Sequence, residues 1–219
     1  MYFCIQIDFV KMQNPQFSLV LVHTCEHVHV LSEKMIEAFC SGTELIHIRP
    51  GTLNQASFRT FLESLPGSLY QRIVIHGHYE LAASLKLRGI HLTESARARG
   101  NSIQGKKAGS GIFSSASFHD LHDLIENGKH YSYVFLSPVF PSISKEGYEP
   151  AFDRKELKMI LGSGICETPV YALGGIDQDT LLLARELGFQ GAALHGALLT
   201  TPDPVQLLDR MRILLGANA

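Results

Sequence analysis

Cysteine is scarce in this chain, and none of it is paired in sequence. Cys4, Cys25, Cys40 and Cys166 are scattered with no CxxC, which excludes a disulfide framework and points to reduced thiols. An excess of positive charge is also missing. The net charge is −2, so no basic field invites nucleic acid or an acidic membrane surface. No apolar run approaches the roughly 18 residues that a membrane span needs. No charged-then-apolar leader precedes a cleavage site. The expectation is a soluble, cytoplasmic protein whose partners are small molecules, and homo-oligomerisation is compatible with it. A further absence bears on the fold: "VLVHTCEHVH", the first strand and its exit, holds no glycine, so the usual dinucleotide-binding fingerprint is missing there.

What is present is alternation. With 45% hydrophobic and 18% charged residues, the 219-residue chain has material for one large core. Short apolar β-rich runs are expected at 18–22, 44–48, 72–76, 89–92, 107–110, 133–136, 169–173 and 191–194. Amphipathic helical patterns fall at 30–40, 55–63, 79–86, 118–126, 153–160, 178–187 and 205–214, with at most a short helix in 93–105. Ser117 and Asp177 read as helix caps, and Gly188 as a helix stop. Eight strands alternating with helices in about 200 residues indicate an α/β single domain, a (β/α)₈ TIM barrel over 17–219. Residues 1–16 form a short N-terminal extension. An open doubly wound sheet is the rival architecture.

Barrel chemistry gathers at the carboxyl ends of the strands. The stretches expected there are His23, "HIRPG", "HGH", His91, "GSGIFSS", "SPVFPSISK", "GGID" and "HGA". Gly174 and Gly175 after strand seven, with Gly196 after strand eight, suit the phosphate cup that such loops and a helix start form. The strand-six loop, stiffened by Pro138 and Pro141, carries Ser142, Ser144 and Lys145 toward the same mouth. Two hydroxyls and an ammonium complement a phosphorylated substrate.

"YVFLSPVFPSISKEGY", "PVYALGGID" and "GFQGAALHGALLTTPDP" resemble the thiamine-phosphate synthase family, which includes thiazole tautomerases. "LIHIRPG", "VIHGHYELAASLKLRGIHL" and "AGSGIFSS" extend the resemblance over roughly residues 17–215. It implies a barrel transferase of thiamine biosynthesis that joins hydroxymethylpyrimidine pyrophosphate to thiazole phosphate and releases pyrophosphate. By position, it assigns Ser142, Ser144, Gly174, Gly175, His195 and Gly196 to the thiazole phosphate. Arg49, His47, His76 and Lys145 go to the pyrimidine pyrophosphate, with Lys145, Arg49 and His76 the catalytic candidates.

This chain departs from the family pattern in four places. The Gln-x-Arg-x-Lys motif reads "HIRPG", with His47 and Gly51 at its ends, and the Asn-Asp after strand three reads His76-Gly77. The metal carboxylate after strand four is replaced in "HLTESA", leaving Ala96 in its place and Glu94 nearby. The strand-five Ser-x-His is matched to "GIF", with Phe113 in the histidine's place. Mg²⁺ is therefore expected to arrive with the pyrophosphate, with Glu94 the candidate to steady it. Two alternatives stay open: a non-catalytic binder of thiazole phosphate or thiamine phosphate, and a related tautomerase. Histidines at several strand ends could converge on a transition metal. However, "HVH" (His27–His29) falls late for the hydrolase pair, and no Asp closes strand eight. His91 reads as a core histidine bonded to a backbone carbonyl, and His76 with His78 as donors to a pyrophosphate.

Overall fold

A computed structural model describes residues 17–25, 32–42, 44–99, 112–141 and 151–216. Eight parallel strands run in sequence order: β1 (Ser18–Thr24), β2 (Leu45–Arg49), β3 (Ile73–Ile75), β4 (Gly89–Leu92), β5 (Phe113–Phe118), β6 (Tyr133–Leu136), β7 (Val170–Leu173) and β8 (Gly191–Leu194). β8 pairs back onto β1, Ser18 opposite Gly191 and Leu21 opposite Leu194, so the sheet closes. The (β/α)₈ barrel is the observed architecture. Residues 1–16 lie outside the described residues, as do Ser142, Ser144, Lys145, His27 and His29.

Helices α1 (Glu33–Cys40), α2 (Gln55–Glu63), α3 (Glu80–Ser84), α4 (Glu94–Ala98), α5 (Leu121–Asn127), α6 (Arg154–Gly162), α7 (Leu181–Glu186), α8 (Gly196–Thr200) and α9 (Pro204–Leu214) follow the strands. Their apolar residues recur at helical spacing. Phe58, Phe61 and Leu62 bury one face of α2, and Pro204, Leu207, Leu208 and Met211 one face of α9. Asn54, Asp120 and Asp203 cap α2, α5 and α9 by accepting first-turn N–H bonds. Strand alternation separates two cores. Leu19, Leu21, Ile46, Ile48 and Ile75 pack outward with the helices, whereas Val20, Val22, Tyr133, Phe135, Tyr171, Leu173 and Ala193 form a separate inner cluster.

Some expectations are corrected. The fifth strand is Phe113–Phe118, not 107–110, a stretch that lies outside the described residues. Ser117 thus sits inside β5, and Asp120 caps the helix that begins at Leu121. Asp177 accepts from Asp179 N and Thr180 N in the turn before α7, whose N-cap is Thr180. The short α8 was not anticipated. Gly188 does end α7, at φ +99°, a conformation open to glycine.

At the amino-terminal end of β2, Glu44 accepts two bonds from Arg212 of α9, at 2.8 and 3.0 Å. Arg72 donates from Nε to the Glu44 carbonyl at 2.8 Å, while its Nη2, at 3.9 Å from the carboxylate, makes an ion pair without a hydrogen bond. Burial opposes the Glu44 charge, yet Arg212's hydrogen bonds hold its carboxyl below the usual range. A methyl at Gly42 would run into the tips of the Arg212 and Glu44 side chains, so a larger residue there must displace this pair.

Candidate active site

Inside the barrel, the described residues form a polar cluster on one side. Residues two apart on a strand share a face, so His47 and Arg49 of β2 point the same way. His47 Nδ1 lies 2.8 Å from His76 Nε2, and His47 Nε2 lies 2.6 Å from the Tyr133 hydroxyl. His91, within β4, places Nδ1 2.8 Å from Ser115 Oγ and Nε2 2.7 Å from Ser117 Oγ. The His76 and His91 rings stack at 4.2 Å. His47 and His91 are fully buried, and His76 is 8% exposed. Burial holds all three neutral, and nearby positive charge, Arg49 included, pushes the same way. His91's partners are hydroxyls, not the backbone carbonyl expected.

Two buried nitrogens in this region lack partners among the described residues: Arg49 Nε–H and His76 Nδ1. The two are brought together because β2 and β3 are neighbours, with His76 N donating to the Ile48 carbonyl at 3.0 Å. No carboxylate pairs with Arg49 among the described residues. Arg49 is half-buried with its Nε withdrawn from water, and a guanidinium partly removed from solvent without a counter-ion is costly. At the carboxyl end of a barrel strand it is a ready receptor for an anion.

Other predicted positions separate. His23 faces the helical layer, stacked on Phe61 at 6.3 Å and edge-on to Phe39 at 6.2 Å, so it does not join the cluster. His78, at φ +49°, donates from Nε2 to the Leu53 carbonyl at 3.0 Å and rests against Phe58, away from His76. His195 donates from Nδ1 to the Val22 carbonyl at 3.1 Å and stands immediately before Gly196.

The root of the strand-six loop packs on the glycine turn. Val139 N donates to the Leu173 carbonyl and Phe140 N to the Gly174 carbonyl. Gly174 and Gly175 sit at φ +95° and +64°, and a methyl on Gly175 would meet the Pro141 carbonyl and Phe140. Both glycines are therefore required by the approach of this loop. Gly175→Ala should destabilise the fold by about 1–3 kcal/mol, the range for a strained left-handed residue. Urea unfolding checks this; an unchanged midpoint would show that the turn relaxes freely.

The revised β5 restores a motif. Its end reads Ser117-Phe118-His119, so the family's Ser-x-His stands here and the match of Phe113 to the histidine was six residues early. His119 donates from Nδ1 to the Ser137 carbonyl at 2.6 Å, which leaves Nε2 as the free edge, 3.9 Å from Glu94 of α4. Sequence reading missed His119; the signal was a Ser-x-His followed directly by an aspartate cap.

A family model described as thiamine monophosphate synthase matches residues 19–198. The chain belongs to that family. Its place is therefore among the thiamine-phosphate synthase-like transferases of thiamine biosynthesis. It is 27% identical over 144 residues to a thiamine-phosphate synthase of Bacteroides fragilis, covering 64% of this chain and 69% of that protein. It is 29% identical over 148 residues to the thiamine biosynthesis bifunctional protein ThiED of Geobacter sulfurreducens, covering 67% of this chain but 29% of that longer protein. A solved thiamine phosphate pyrophosphorylase of Bacteroides thetaiotaomicron shares the fold at a TM-score of 0.71 and 23% identity, covering 93% of this chain and 99% of that one. Among the described residues, no helix is long and apolar enough to cross a membrane.

The Mg²⁺ that the family resemblance implies does not fit the donors present among the described residues. The expected carboxylate positions are Gly77 and a buried Ala96, and Glu94 is about half exposed with only a long contact to His119. Mg²⁺ demands near-octahedral oxygen ligation, which imidazoles do not supply.

Proposed function

We propose that this chain joins hydroxymethylpyrimidine pyrophosphate to thiazole phosphate, with Arg49 and His76 meeting the leaving pyrophosphate where other members use carboxylate-held metal. The observation that carries this reading is the pair of buried, unpartnered nitrogens, Arg49 Nε and His76 Nδ1, at adjacent strand ends. The methylene–oxygen bond of the pyrimidine substrate breaks, and its electron pair leaves on pyrophosphate. The thiazole nitrogen then forms the new bond to the methylene and carries the positive charge. The protein's part is to stabilise the departing anion and align the nitrogen.

In this reading Lys145, on the loop above, adds an ammonium to the same anion. Ser142, Ser144, the Gly174–Gly175 turn, His195 and Gly196 take the thiazole phosphate. His47 supports the ring of His76 from below through the 2.8 Å contact. The reduced thiols of Cys25, Cys40 and Cys166 suit a cytoplasmic setting.

The test is direct. Purified protein incubated with both substrates should yield thiamine phosphate and pyrophosphate in equal amounts. Tight binding of thiazole phosphate with no turnover would replace this reading by that of a binder. Arg49→Ala removes a charged donor worth about 1.5–3 kcal/mol, so kcat/KM should fall by about 10- to 150-fold. Thiazole phosphate affinity, measured by calorimetry, should hardly change. Equal loss for both ligands would show that Arg49 supports the barrel and not the leaving group.

A further inference from the structure

We propose that His47, His76 and His91 form a binding site for a borderline divalent metal ion, Zn²⁺ in the first instance, at the base of the mouth. One nitrogen from each ring lies within 4.8 Å of the others, and all three residues are buried. Three nitrogens around a tetrahedral Zn²⁺, each at about 2.0–2.1 Å, stand about 3.3 Å apart. The cluster brackets that value, from the 2.8 Å between His47 Nδ1 and His76 Nε2 to the 4.8 Å limit. Ligand geometry requires the His76 and His91 rings, now stacked at 4.2 Å, to rotate out of the stack until their in-plane nitrogens converge.

The surroundings are those of a ligand set. A ligating imidazole is held by an oxygen on its other nitrogen. With His47 bound through Nδ1, its Nε2–H donates to Tyr133 at the existing 2.6 Å. His91 keeps one of its two serine hydroxyls, Ser115 or Ser117, and frees the other nitrogen. The rings are neutral, the form that binds a metal. His76 meets His47 through Nε2 and stacks on His91, and its Nδ1 has no partner among the described residues.

Three imidazoles leave one position open, as in catalytic zinc sites. No carboxylate is among the ligands, so the site keeps its full double charge beside Arg49. Its fourth ligand must then be an anion, and a phosphoryl oxygen shared with Arg49 Nε satisfies both cations. The softer donor set thus occupies the barrel side where the carboxylates for Mg²⁺ are missing. This inference stands apart from the transferase reading: metal binding without turnover would sink only the latter, and turnover in metal-stripped protein with no binding would sink only this one.

The experiment strips the full-length protein with a chelator and titrates Zn²⁺ by calorimetry and Co²⁺ by visible absorption. One equivalent should bind, with the d–d bands of four-coordinate Co²⁺, and millimolar Mg²⁺ should not compete. Tyr133→Phe removes the hydroxyl behind His47 without a change of shape, and should weaken binding by about 10- to 100-fold. His76→Asn should abolish the site. Circular dichroism reports whether each variant keeps its fold; if His76→Asn does not, Tyr133→Phe decides. No saturable binding to the folded protein would overturn the proposal. So would binding that both substitutions, or the folded one alone, leave unchanged, since that metal would sit on other histidines.

Discussion

Acidified from pH 7 to pH 5 in the presence of a chelator, the protein should lose most of its folding stability. Three buried histidines, His47, His76 and His91, and the half-buried His23 are the cause. Burial, reinforced by His195, lowers His23 to about 4, and burial drives His47, His76 and His91 well below their ordinary 6.5. Unfolded, each takes up a proton as pH falls through 6.5; folded, each stays neutral until its own lowered value is reached. The unfolded state therefore binds more protons in that window, and stability rises with pH across it. Above 6.5 the effect is complete; below, stability drains away. A histidine that stays neutral in the fold loses about 2 kcal/mol between pH 7 and pH 5. The three buried ones together approach about 6 kcal/mol, comparable to the whole stability of about 5–15 kcal/mol of an ordinary domain, and the half-buried His23 adds less. Urea unfolding at pH 7, 6 and 5 measures it, and His91→Gln should flatten the slope by about 1.4 kcal/mol per pH unit. A stability flat from pH 7 to 5 would mean that the cluster already carries protons in the folded chain.

Glu44→Ala is expected to destabilise the barrel by about 3–5 kcal/mol, the usual cost of removing one partner of a buried ion pair. Glu44 is 10% exposed at its side chain, Arg212 12% and Arg72 18%, so neither guanidinium can turn fully to water. Arg212 belongs to the last helix and Glu44 precedes β2, so the pair fastens α9 across the amino-terminal end of the barrel. Glu44→Gln keeps one acceptor and should cost less, whereas Gly42→Ala should cost more than an exposed glycine would. Thermal melts separate the three. Equal, small shifts in all of them would show an ordinary solvated ion pair worth under about 1 kcal/mol.

The barrel was legible because most of its strands are apolar on both faces, as parallel strands covered by helices must be. Gly89–Leu92, Tyr133–Leu136 and Gly191–Leu194 are found where the pattern predicts them. β5 was misplaced for the opposite reason. "FSSASF" turns serines inward, and hydroxyls satisfied by His91 can be buried without hydrophobicity. The error carried the Ser-x-His register with it and hid His119. The positions of Arg49, His76, Gly174, Gly175 and Gly196 at strand ends were readable from spacing alone. Convergence of strand-end histidines was readable as a possibility, but which of them meet, and through which partners, was not. His91 pairs through Ser115 and Ser117, 24 and 26 residues away, and His47 through Tyr133, 86 residues away. No local pattern records such partners.

The contact between His47 and Tyr133 also restricts how descendants of this sequence can drift. An apolar residue at 47 would strand His76 Nε2 in the interior at a cost of about 1–3 kcal/mol, and would leave the Tyr133 hydroxyl with Ser115 as its partner. Phenylalanine at 133 removes the hydroxyl but leaves His47 Nε2 unmet. The route to an apolar interior therefore passes through single changes that are each worse than either end, although the final, fully apolar set would itself be tolerable. Ser115 joins Tyr133 to His91, so positions 47, 76, 133, 91, 115 and 117 form one coupled set that should change together or not at all. Such a network, once acquired, works as an evolutionary ratchet: it persists in a lineage even after selection for its original purpose has lapsed.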